Sequence, residues 1–482
     1  MITSTTAQSP RDWATEHFGG AEFTDVRRVE RARFIAEGMA ASPGASFTQM
    51  FAHPYDIKAT YEFLKNPDVT PDNLLAGHWD RTRDALNAPG RFLLLEDTSE
   101  IRCSDDGNDI LGLGPIGPGK GGNVGFHLHS TLAVLWPEKP DTAPPRRPHV
   151  EIIGLADQQS HVRTPREQKG HASLRRTLPA EKLESSLWEK ASQRIGRAPD
   201  RPDTIWIKVG DRGADIYDHL IECGKQNHRH ITRAAKDRIL LDEQGKKAGK
   251  LFATAAATAP LGEISLDLRA RPGQAARIAT LAISVTPVVI RSPQKKGCGP
   301  GKRPPLSCRV VRVYEVNPPA GVKALEWFLL TDLPVNNFAE AAEVAQMYAT
   351  RWLEEEFHKA LKTGMDAEGG QLGTAGAWFA CIALKSVAAL RLITLREQMH
   401  LMPEAPAEAS GLSEVELAVL RTRSRKELLT VREVALAIGR LGGHLNRRRD
   451  GLPGWITLWR GWVILETLVE GYEMGRKAEK RE

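Results

Sequence analysis

Apolar and polar positions recur with two different periods along the chain, and the change of period divides it into regions. Residues 25–43 (DVRRVERARFIAEGMAASP) and 59–69 (ATYEFLKNPDV) place apolar side chains at the spacing of an amphipathic helix. From residue 91 the pattern changes to RFLLLEDT and then FHLHSTLAVLW, which is typical of strands that are buried for much of their length. The sequence therefore predicts a helical N-terminal module followed by a sheet.

The rest of the chain predicts a mixed architecture of the α/β class. A helix is expected over residues 179–195, and residues 203–224 have the pattern of a buried strand, an acidic turn and a helix. Residues 235–330 carry short β-branched runs separated by Pro and Gly, as antiparallel strands do, and the spacing from Asn337 onward is mainly helical. A length of 482 residues favours about three domains. The predicted domains are 1–75, 76–372 with a β insertion at about 235–330, and 373–482.

The composition is that of a soluble protein, with 41% hydrophobic and 26% charged residues. The most apolar window, Trp378 to Ile393, is interrupted by Lys385 and Arg391, so it predicts a buried helix and not a membrane span. The N-terminal stretch lacks the apolar segment of a signal peptide. Five scattered cysteines without CxxC spacing indicate neither a disulfide framework nor a zinc site. We therefore expect a cytoplasmic protein with reduced thiols and no membrane partner.

Positive charge is in modest excess. The net charge of +6 and the pI near 9.0 are compatible with a polyanionic partner. The first amphipathic helix concentrates part of this charge at Arg27, Arg28, Arg31 and Arg33. These side chains suit a phosphate backbone, and they suit a merely solvated helix face equally well.

Two motifs have part of a ligand site but not all of it. GPIGPGKGG at residues 114–122 has the GxxxxGK spacing of a phosphate-binding loop, yet Gly121 stands where Ser or Thr would bind magnesium. Two prolines also remove backbone donors that phosphates would need, so we expect no nucleotide cofactor. His127 and His129 share one face of a predicted strand, but two histidines without a third ligand are more typical of ordinary strand residues.

The segment YATRWLEEEFHKALKTG, residues 348–364, places three consecutive acids among cations on one predicted helix. At ~100° per residue, the polar side of this helix carries Tyr348, Arg351, Glu355, Lys359 and Lys362. The apolar side carries Leu353, Phe357, Ala360 and Leu361 and would pack on a core. Glu354 and Glu356 flank the polar side, so Glu355 is the acid expected to point along it. Taken alone, the pattern also fits a surface helix with ion pairs between residues four apart.

Two further acids are predicted to end strands. Asp97 follows FLLLE and Asp211 follows TIWIKVG, and open α/β sheets bind ligands at the carboxyl ends of their strands. Each acid alone could equally be a helix cap or a turn residue. Together with Glu355 they form a carboxylate set suited to a pair of Mg²⁺ or Mn²⁺ ions, which can activate water for phosphoryl transfer. Asp215, in the same turn as Asp211, is assigned a structural role.

The spacing of Tyr348, Arg351, Glu355 and Lys362 resembles the Y-(2)-R-(3)-E-(6)-K signature of the IS-four family of DDE transposases. Similar motifs extend over nearly the whole chain, including YxFxxNPxV at 61–69, EDT at 96–98, DRxADI at 211–216, WxLLTxxPV at 327–335, and RLGG through LWxGW at 440–462. The resemblance implies a ribonuclease-H-like catalytic domain split by a β insertion, an N-terminal helical DNA-binding domain and a C-terminal helical dimerisation domain.

The resemblance also implies roles for individual residues. Asp97, Asp211 and Glu355 would be the catalytic and metal-binding acids, holding two Mg²⁺ or Mn²⁺ ions. The residues implied to bind DNA are Tyr348, Arg351, Lys359, Lys362, Trp327, Arg28 and Arg31. Of these, Trp327 would stack on a base flipped out near the transposon end, although a strand aromatic in this position can also simply pack in the core. The basic loop at 293–305 departs most from the family pattern, so its DNA contacts are not implied.

The function implied is cut-and-paste transposition by a nucleoid-associated homodimer acting on the double-stranded DNA of transposon ends and of a target. Trp455, Trp459 and Trp462 lie on one face of a predicted C-terminal helix, which suits either a core helix or a partner helix. Two other functions stay open: a catalytically inactive DNA-binding regulator derived from a transposase, and a nuclease of the same fold without strand transfer.

Overall fold

The N-terminal region folds as helices, as its apolar spacing predicts. A computed structural model describes residues 9–103, 110–117, 123–163, 183–268, 275–293, 303–447 and 450–479. The first helices are α1 (Pro10–Phe18), α2 (Val26–Ala41), α3 (Phe47–Met50), α4 (Pro54–Lys65) and α5 (Pro71–Leu86). Side chains cap the two longest: Asp25 accepts a hydrogen bond from the Arg27 backbone N–H, and Thr70 accepts one from that of Asn73.

Strands dominate the middle of the chain. They are β1 (Gly90–Cys103), β2 (Gly114–Pro115), β3 (Val124–Trp136), β4 (Glu151–His161), β5 (Thr204–Gly210), β6 (Arg229–Arg233), β7 (Ile239–Leu241), β8 (Lys247–Lys250), β9 (Gly262–Leu268), β10 (Arg277–Ile290), β11 (Leu306–Glu315) and β12 (Glu326–Thr331). Within the described ranges these strands belong to one mixed sheet, and together with the helices they confirm the predicted α/β class.

Five strands form the part of the sheet that matters for the candidate site. Their order is β4, β3, β1, β5, β6. Strand β3 runs antiparallel to both of its neighbours β4 and β1, whereas β5 runs parallel to β1 and β6 runs parallel to β5. The parallel strands have near-continuous buried runs, as expected of strands covered on both faces.

Strand β1 is longer than the sequence suggested. The prediction that Asp97 ends it is wrong, because β1 continues to Cys103 through antiparallel pairing with β3. What ends near Asp97 is the parallel pairing with β5, whose last partners are Glu96 and Gly210. The second half of β1 contains polar residues such as Thr98 and Glu100, so a prediction based on apolar runs ends the strand too early.

The segment from β7 to β12 extends the same sheet. Strands β9, β10, β11 and β12 pair antiparallel with one another, and β12 pairs antiparallel with β6. Strands β9 to β12 are therefore continuous with the central strands through the backbone hydrogen bonds between β12 and β6. Parts of three predicted features lie outside the described residues: positions 118–122 of the GPGKGG motif, 179–182 of a predicted helix and 294–302 of the basic loop.

The remaining helices pack on the sheet and on each other. They are α6 (Leu187–Ile195), α7 (Tyr217–Lys225), α8 (Leu251–Ala256), α9 (Phe338–Thr350), α10 (Trp352–Lys359), α11 (Ala375–Leu401), α12 (Glu414–Ser424), α13 (Val431–Leu441) and α14 (Trp455–Glu479). Among the described residues, α11 is the one helix long and apolar enough to cross a membrane, and 72% of its most apolar window is buried inside the protein. Trp378, Leu384 and Ile393 are fully buried along it, so α11 is a core helix.

The tryptophans of α14 lie largely inside the fold. Trp455 and Trp462 are buried, together with Leu458 and Leu465 on the same face of the helix. This face packs on the long helix α11 and on the C-terminal helices α12 and α13. These contacts support the prediction that α14 is a core helix. Tyr472, near the end of α14, is exposed.

Residues 348–364 do not form one uniform helix. Helix α9 ends at Thr350 and α10 begins at Trp352, with a tightened turn in which the Glu354 N–H bonds to the Arg351 carbonyl at 2.9 Å. The last turn, Ala360–Gly364, is a wide π-helical turn. The two irregular turns change the direction of side chains from that of a straight helix.

Candidate active site

Asp97 and Asp211 meet where the parallel pairing of β1 and β5 ends. Glu96 and Gly210 are the last partners of that pairing, so the two acids are the next residues of adjacent strands. Paired strands lie about 4.8 Å apart, and the charge of Asp211 contributes to the raised pKa of Asp97. Asp211 also caps a short 3₁₀ turn, in which its Oδ1 accepts a hydrogen bond of 2.6 Å from the Gly213 N–H. The turn fixes the direction of the Asp211 carboxylate.

Arg351 joins Asp97 to the third acid. Its Nη1 lies 3.0 Å from Asp97 Oδ2, and its Nη2 donates a short hydrogen bond to Glu355 Oε1. The Arg351 side chain is only 12% exposed. Burial alone would lower the pKa of Arg351, but the hydrogen bond to Glu355 and the negative charges of Asp97 and Glu355 raise it above its usual value. The guanidinium is therefore held as a cation between a strand acid and a helix acid.

The charges of the other two acids act on the carboxyl of Asp97. Burial raises the pKa of Asp97, and although Arg351 opposes this effect, the charges of Asp211 and Glu355 add to it. The net result is an Asp97 pKa above its usual value. Repulsion of this kind is expected where carboxylates converge on one point. The convergence of Asp97, Asp211 and Glu355 on one metal site stays a prediction.

The acids do not stand ready as a metal cage in this arrangement. Among the described residues, no group of three His, Cys, Asp or Glu side chains is placed so that it could hold a metal ion. The guanidinium of Arg351 lies against two of the three acids that such a group would use. Asp215, by contrast, is engaged elsewhere, because it pairs with Arg238 and accepts hydrogen bonds from the Ala235 and Lys236 N–H groups. Its predicted structural role is confirmed.

The other predicted site residues occupy varied surroundings. Tyr348 on α9 is buried, and its ring meets that of Trp327 on β12 with 5.3 Å between centroids. Trp327 is only partly buried and packs on the main hydrophobic core. Lys359 is exposed, and Lys362 Nζ lies 3.7 Å from Glu368 Oε1. The structure therefore brings Tyr348 and Trp327 together and leaves Lys359 facing solvent.

The arginines of α2 are paired with acids of the N-terminal region. Arg28 Nη1 lies 2.7 Å from Asp68 Oδ2, and Arg31 Nη1 lies 2.9 Å from Asp56 Oδ1. The Arg31 guanidinium also lies over the ring of Phe34, 5.1 Å from its centroid. Neither arginine is brought to the three acids through these contacts.

A clamp that sequence reasoning missed holds Glu356. Arg396 on α11 donates to both carboxylate oxygens of Glu356, at 2.8 and 2.6 Å, and Arg147 donates to Oε2 at 3.1 Å. The same two arginines bind Glu397, whose side chain is 1% exposed. Burial would raise the pKa of Glu397, but hydrogen bonds from His149 and Arg147 and the charges of both arginines keep it well below its usual value. We call Arg147, Glu356, Arg396 and Glu397 the arginine clamp.

A second missed group lies on the inner side of α10. Glu354 is fully buried, and neither of its carboxylate oxygens has a hydrogen-bond partner among the described residues. His358 Nε2 lies 3.7 Å from Glu354 Oε1 and also lacks a partner there. Glu96 and Lys208 form a buried ion pair, with His129 Nε2 3.8 Å from Glu96. We call Glu96, His129, Lys208, Glu354 and His358 the inner polar cluster.

Opposite pKa shifts favour neutral forms of Glu354 and His358. Burial, with the negative charges of Asp97 and Glu96, raises the pKa of Glu354 well above its usual value. Burial, with the charges of Lys362 and other cations, lowers the pKa of His358 to about 3. The sequence contained an indication of this cluster, since Glu96 ends the apolar run FLLLE and Lys208 lies within the apolar run TIWIKVG. Charges inside buried strands predict a buried pair.

Comparison with known protein families gives one finding. Residues 10–69 match the family model described as transposase DNA-binding. The matched segment spans α1 to α4 and includes Arg28 and Arg31. The chain thus carries a transposase-type DNA-binding domain at its N-terminal end, which supports DNA as a partner.

Proposed function

Starting from a transposase DNA-binding domain at residues 10–69, we propose that the protein is a DDE transposase of the IS-four type. It would bind the ends of a transposable element as a homodimer, cut them and join them to target DNA in the cytoplasm, at the nucleoid. The observation that supports the proposal is the arrangement around Arg351. Asp97 and Asp211 directly follow the last partners of one parallel strand pair, and Glu355 is joined to Asp97 through Arg351.

The arrangement of strands supports a ribonuclease-H-like catalytic domain. Three antiparallel strands, β4, β3 and β1, are extended by the parallel strands β5 and β6. Two of the acids emerge at the carboxyl end of the parallel pair, which is where open α/β sheets present functional groups. The third comes from a helix, α10, that packs on β1.

The chemistry of the acids fits divalent cations. Asp97, Asp211 and Glu355 would hold two Mg²⁺ or Mn²⁺ ions, because carboxylate oxygens are the ligands these ions prefer. Burial, with the negative charges of Asp211 and Glu355, raises the pKa of Asp97, and a bound cation would offset both effects. When bound, a pair of such ions activates water and stabilises the leaving oxygen of an in-line phosphoryl displacement. The protein's own contribution would be to supply these three carboxylates from two adjacent strands and from helix α10.

The proposed reaction exchanges one phosphorus–oxygen bond for another at each step. Water attacks a phosphodiester at the transposon end and releases a 3′ hydroxyl. That hydroxyl attacks the opposite strand, which forms a hairpin and releases the flanking DNA. A second water opens the hairpin, and the regenerated 3′ hydroxyl attacks a phosphodiester of the target. Because every step is a phosphoryl transfer, a single set of acids can serve them all.

Residues around the acids are suited to hold DNA. Lys359 is exposed near Glu355 on α10, and the Lys362 ammonium is only loosely paired. Trp327 retains exposed surface beside Tyr348, so a flipped base could stack there. In the N-terminal domain, Arg28 and Arg31 would exchange Asp68 and Asp56 for DNA phosphates.

The proposal is tested with recombinant protein and a linear duplex that carries the inverted repeats flanking its gene. We expect cleavage of this DNA in the presence of Mg²⁺ or Mn²⁺. Asp97→Asn, Asp211→Asn and Glu355→Gln should each abolish cleavage and retain binding to the ends in a gel shift. Asp215→Asn is a less suitable control because Asp215 is structural. The exposed acid Asp200, changed to Asn, serves as the matched control and should cleave normally.

Each alternative outcome has a distinct meaning. Full cleavage by any of the three acid variants would refute the assignment of the acids. Binding to the ends without metal-dependent nicking by the wild-type protein would favour a regulator derived from a transposase. Cutting without joining to target DNA would favour a nuclease of the same fold.

A further inference from the structure

The guanidinium of Arg351 lies where the catalytic acids would need a cation. Nη1 contacts Asp97 Oδ2 at 3.0 Å, and Nη2 contacts Glu355 Oε1 through a short hydrogen bond. These are oxygens of two of the three acids that would bind metal in the proposed function. A guanidinium in this position neutralises part of the charge that would attract a divalent ion, and it repels that ion directly. Arg351 and a metal pair therefore compete for the same carboxylates.

Arg351 can leave these carboxylates only if something else receives its charge. The side chain is mostly buried, and an unpaired buried charge is strongly unfavourable. A phosphate diester is a suitable receiver, because the planar guanidinium fork binds phosphate oxygens with the same geometry as carboxylates. Exposed Lys359, one turn beyond Glu355 on α10, would help to bring a phosphate to this place.

We propose that Arg351 is a resident counter-ion of the DNA-free protein, which releases Asp97 and Glu355 to divalent cations when a DNA phosphate accepts its guanidinium. This inference rests on the proposed function and adds a regulation to it: metal and DNA bind cooperatively at the acids. The free protein would be a weak metal binder. Cutting would then be restricted to DNA that is seated against Arg351.

The test measures Mn²⁺ binding to the full-length protein without DNA, by isothermal titration calorimetry or by electron paramagnetic resonance of free Mn²⁺. The Arg351→Gln variant should bind Mn²⁺ about tenfold more tightly than the wild type, a coupling of ordinary size. Arg91→Gln is the matched control, because Arg91 also pairs with a carboxylate, that of Glu343, away from the acids. It should bind Mn²⁺ as the wild type does.

A second variant guards against misfolding of the first. Arg351→Lys keeps a positive charge but loses the planar fork, so its Mn²⁺ affinity should lie between those of the wild type and Arg351→Gln. Circular dichroism and thermal melting of both variants show whether they are folded. If Arg351→Gln fails to fold, an Arg351→Lys protein that binds Mn²⁺ no more tightly than the wild type overturns the inference.

Repeating the Mn²⁺ measurements with Asp97→Asn variants distinguishes a failure of the counter-ion role from a failure of the proposed metal site. In the Asp97→Asn/Arg351→Gln protein, the gain in Mn²⁺ affinity should disappear. Equal affinities of wild type and Arg351→Gln, both abolished by Asp97→Asn, would overturn the counter-ion role and leave the metal site standing. Mn²⁺ binding that is indifferent to Asp97→Asn, or no Mn²⁺ binding by any variant, would overturn both.

Discussion

Helix α10 lies between two groups of ionisable side chains, the arginine clamp and the inner polar cluster. The carboxylates of the clamp are paired with arginines, whereas, within the described ranges, the carboxyl of Glu354 in the cluster is not. In the arginine clamp, Glu356 and Glu397 each receive hydrogen bonds from Arg147 and Arg396. In the inner polar cluster, both oxygens of Glu354 lack a hydrogen-bond partner among the described residues. Glu354 and Glu356 are two positions apart on one helix, so their local sequence differs little. What differs is the set of residues that each carboxylate meets across the fold.

The difference teaches how three consecutive acids can be tolerated. A carboxylate buried with good cationic partners stays charged, as Glu397 does, with a pKa well below its usual value. A carboxylate buried without them becomes neutral, and burial raises the pKa of Glu354 accordingly. Between the two, Glu355 is held towards Asp97 by Arg351. One acid thus anchors the helix, one is neutral in the interior, and one is available to the candidate site.

The largest expected effect comes from breaking the arginine clamp. Glu356→Met should lower the free energy of unfolding by about 3 kcal/mol, since it leaves Arg147 and Arg396 buried with one carboxylate fewer. Urea denaturation at pH 7 measures the change. Glu408→Met is the control, because Glu408 pairs with Arg421 at the surface and its loss should cost at most about 1 kcal/mol. Similar losses for the two variants would show that the clamp is no stronger than a surface pair.

Glu354→Met should have the opposite sign. The carboxyl of Glu354 is buried without a hydrogen-bond partner in the part of the chain that the structure describes, so its removal should raise the free energy of unfolding by about 1–3 kcal/mol. Glu354→Gln keeps the size and polarity of the side chain and should change stability less. The same urea experiment checks both variants. A marked destabilisation by Glu354→Met would mean that the carboxyl is bonded, for instance to buried water, and the contrast with Glu356 would fail.

The smallest expected effect concerns the pH dependence of the free energy of unfolding. His358 in the inner polar cluster and Glu397 in the arginine clamp should lose their contributions to stability in different pH ranges. The pKa of His358 is about 3 in the folded protein and about 6.5 in an unfolded chain. Its neutral form therefore contributes stability above pH 6.5, which is lost as the pH falls from 6.5 towards 3, at up to about 1.4 kcal/mol per pH unit. Glu397, whose pKa is lowered, loses its contribution only below the usual pKa of a glutamate.

His358→Phe should therefore flatten the dependence of unfolding free energy on pH between 6 and 4. Urea denaturation at pH 6, 5 and 4 gives the slope, and it should be smaller than that of the wild type by about 1 kcal/mol per pH unit. The exposed His53, changed to Phe, is the matched control and should keep the wild-type slope. An unchanged slope in His358→Phe would place the acid sensitivity elsewhere in the protein.

Much of the fold follows from apolar periodicity alone. The α/β alternation, the antiparallel run of strands from β9 to β12 and the helical ends of the chain were all predicted by the spacing of hydrophobic residues. Within residues 348–364, the apolar side was confirmed, since Leu353, Phe357, Ala360 and Leu361 are fully buried. Periodicity succeeds here because burial of apolar area is the dominant local signal.

The surroundings of the acids could not be obtained in the same way. A helical wheel assumes a uniform helix, and the tight turn at Arg351 and the π turn after Lys359 break that assumption. The wheel placed Glu354 beside the polar side, but the structure buries it completely. The partners of Glu356 come from residues that are 209 and 40 positions distant, at Arg147 and Arg396. Sequence spacing on one helix carries no information about them.

The pairing of β12 with β6 limits which strands of the sheet can be removed without exposing an unpaired edge. Residues 229–233 of β6 hydrogen-bond to β5 on one side and to the end of the inserted region on the other. Without β12, the outer backbone N–H and C=O groups of β6 would be unpaired, and an unpaired edge strand can pair with a strand of a second molecule. A variant with shorter outer strands would keep β6 paired, but a variant without β12 would need another segment to pair with β6.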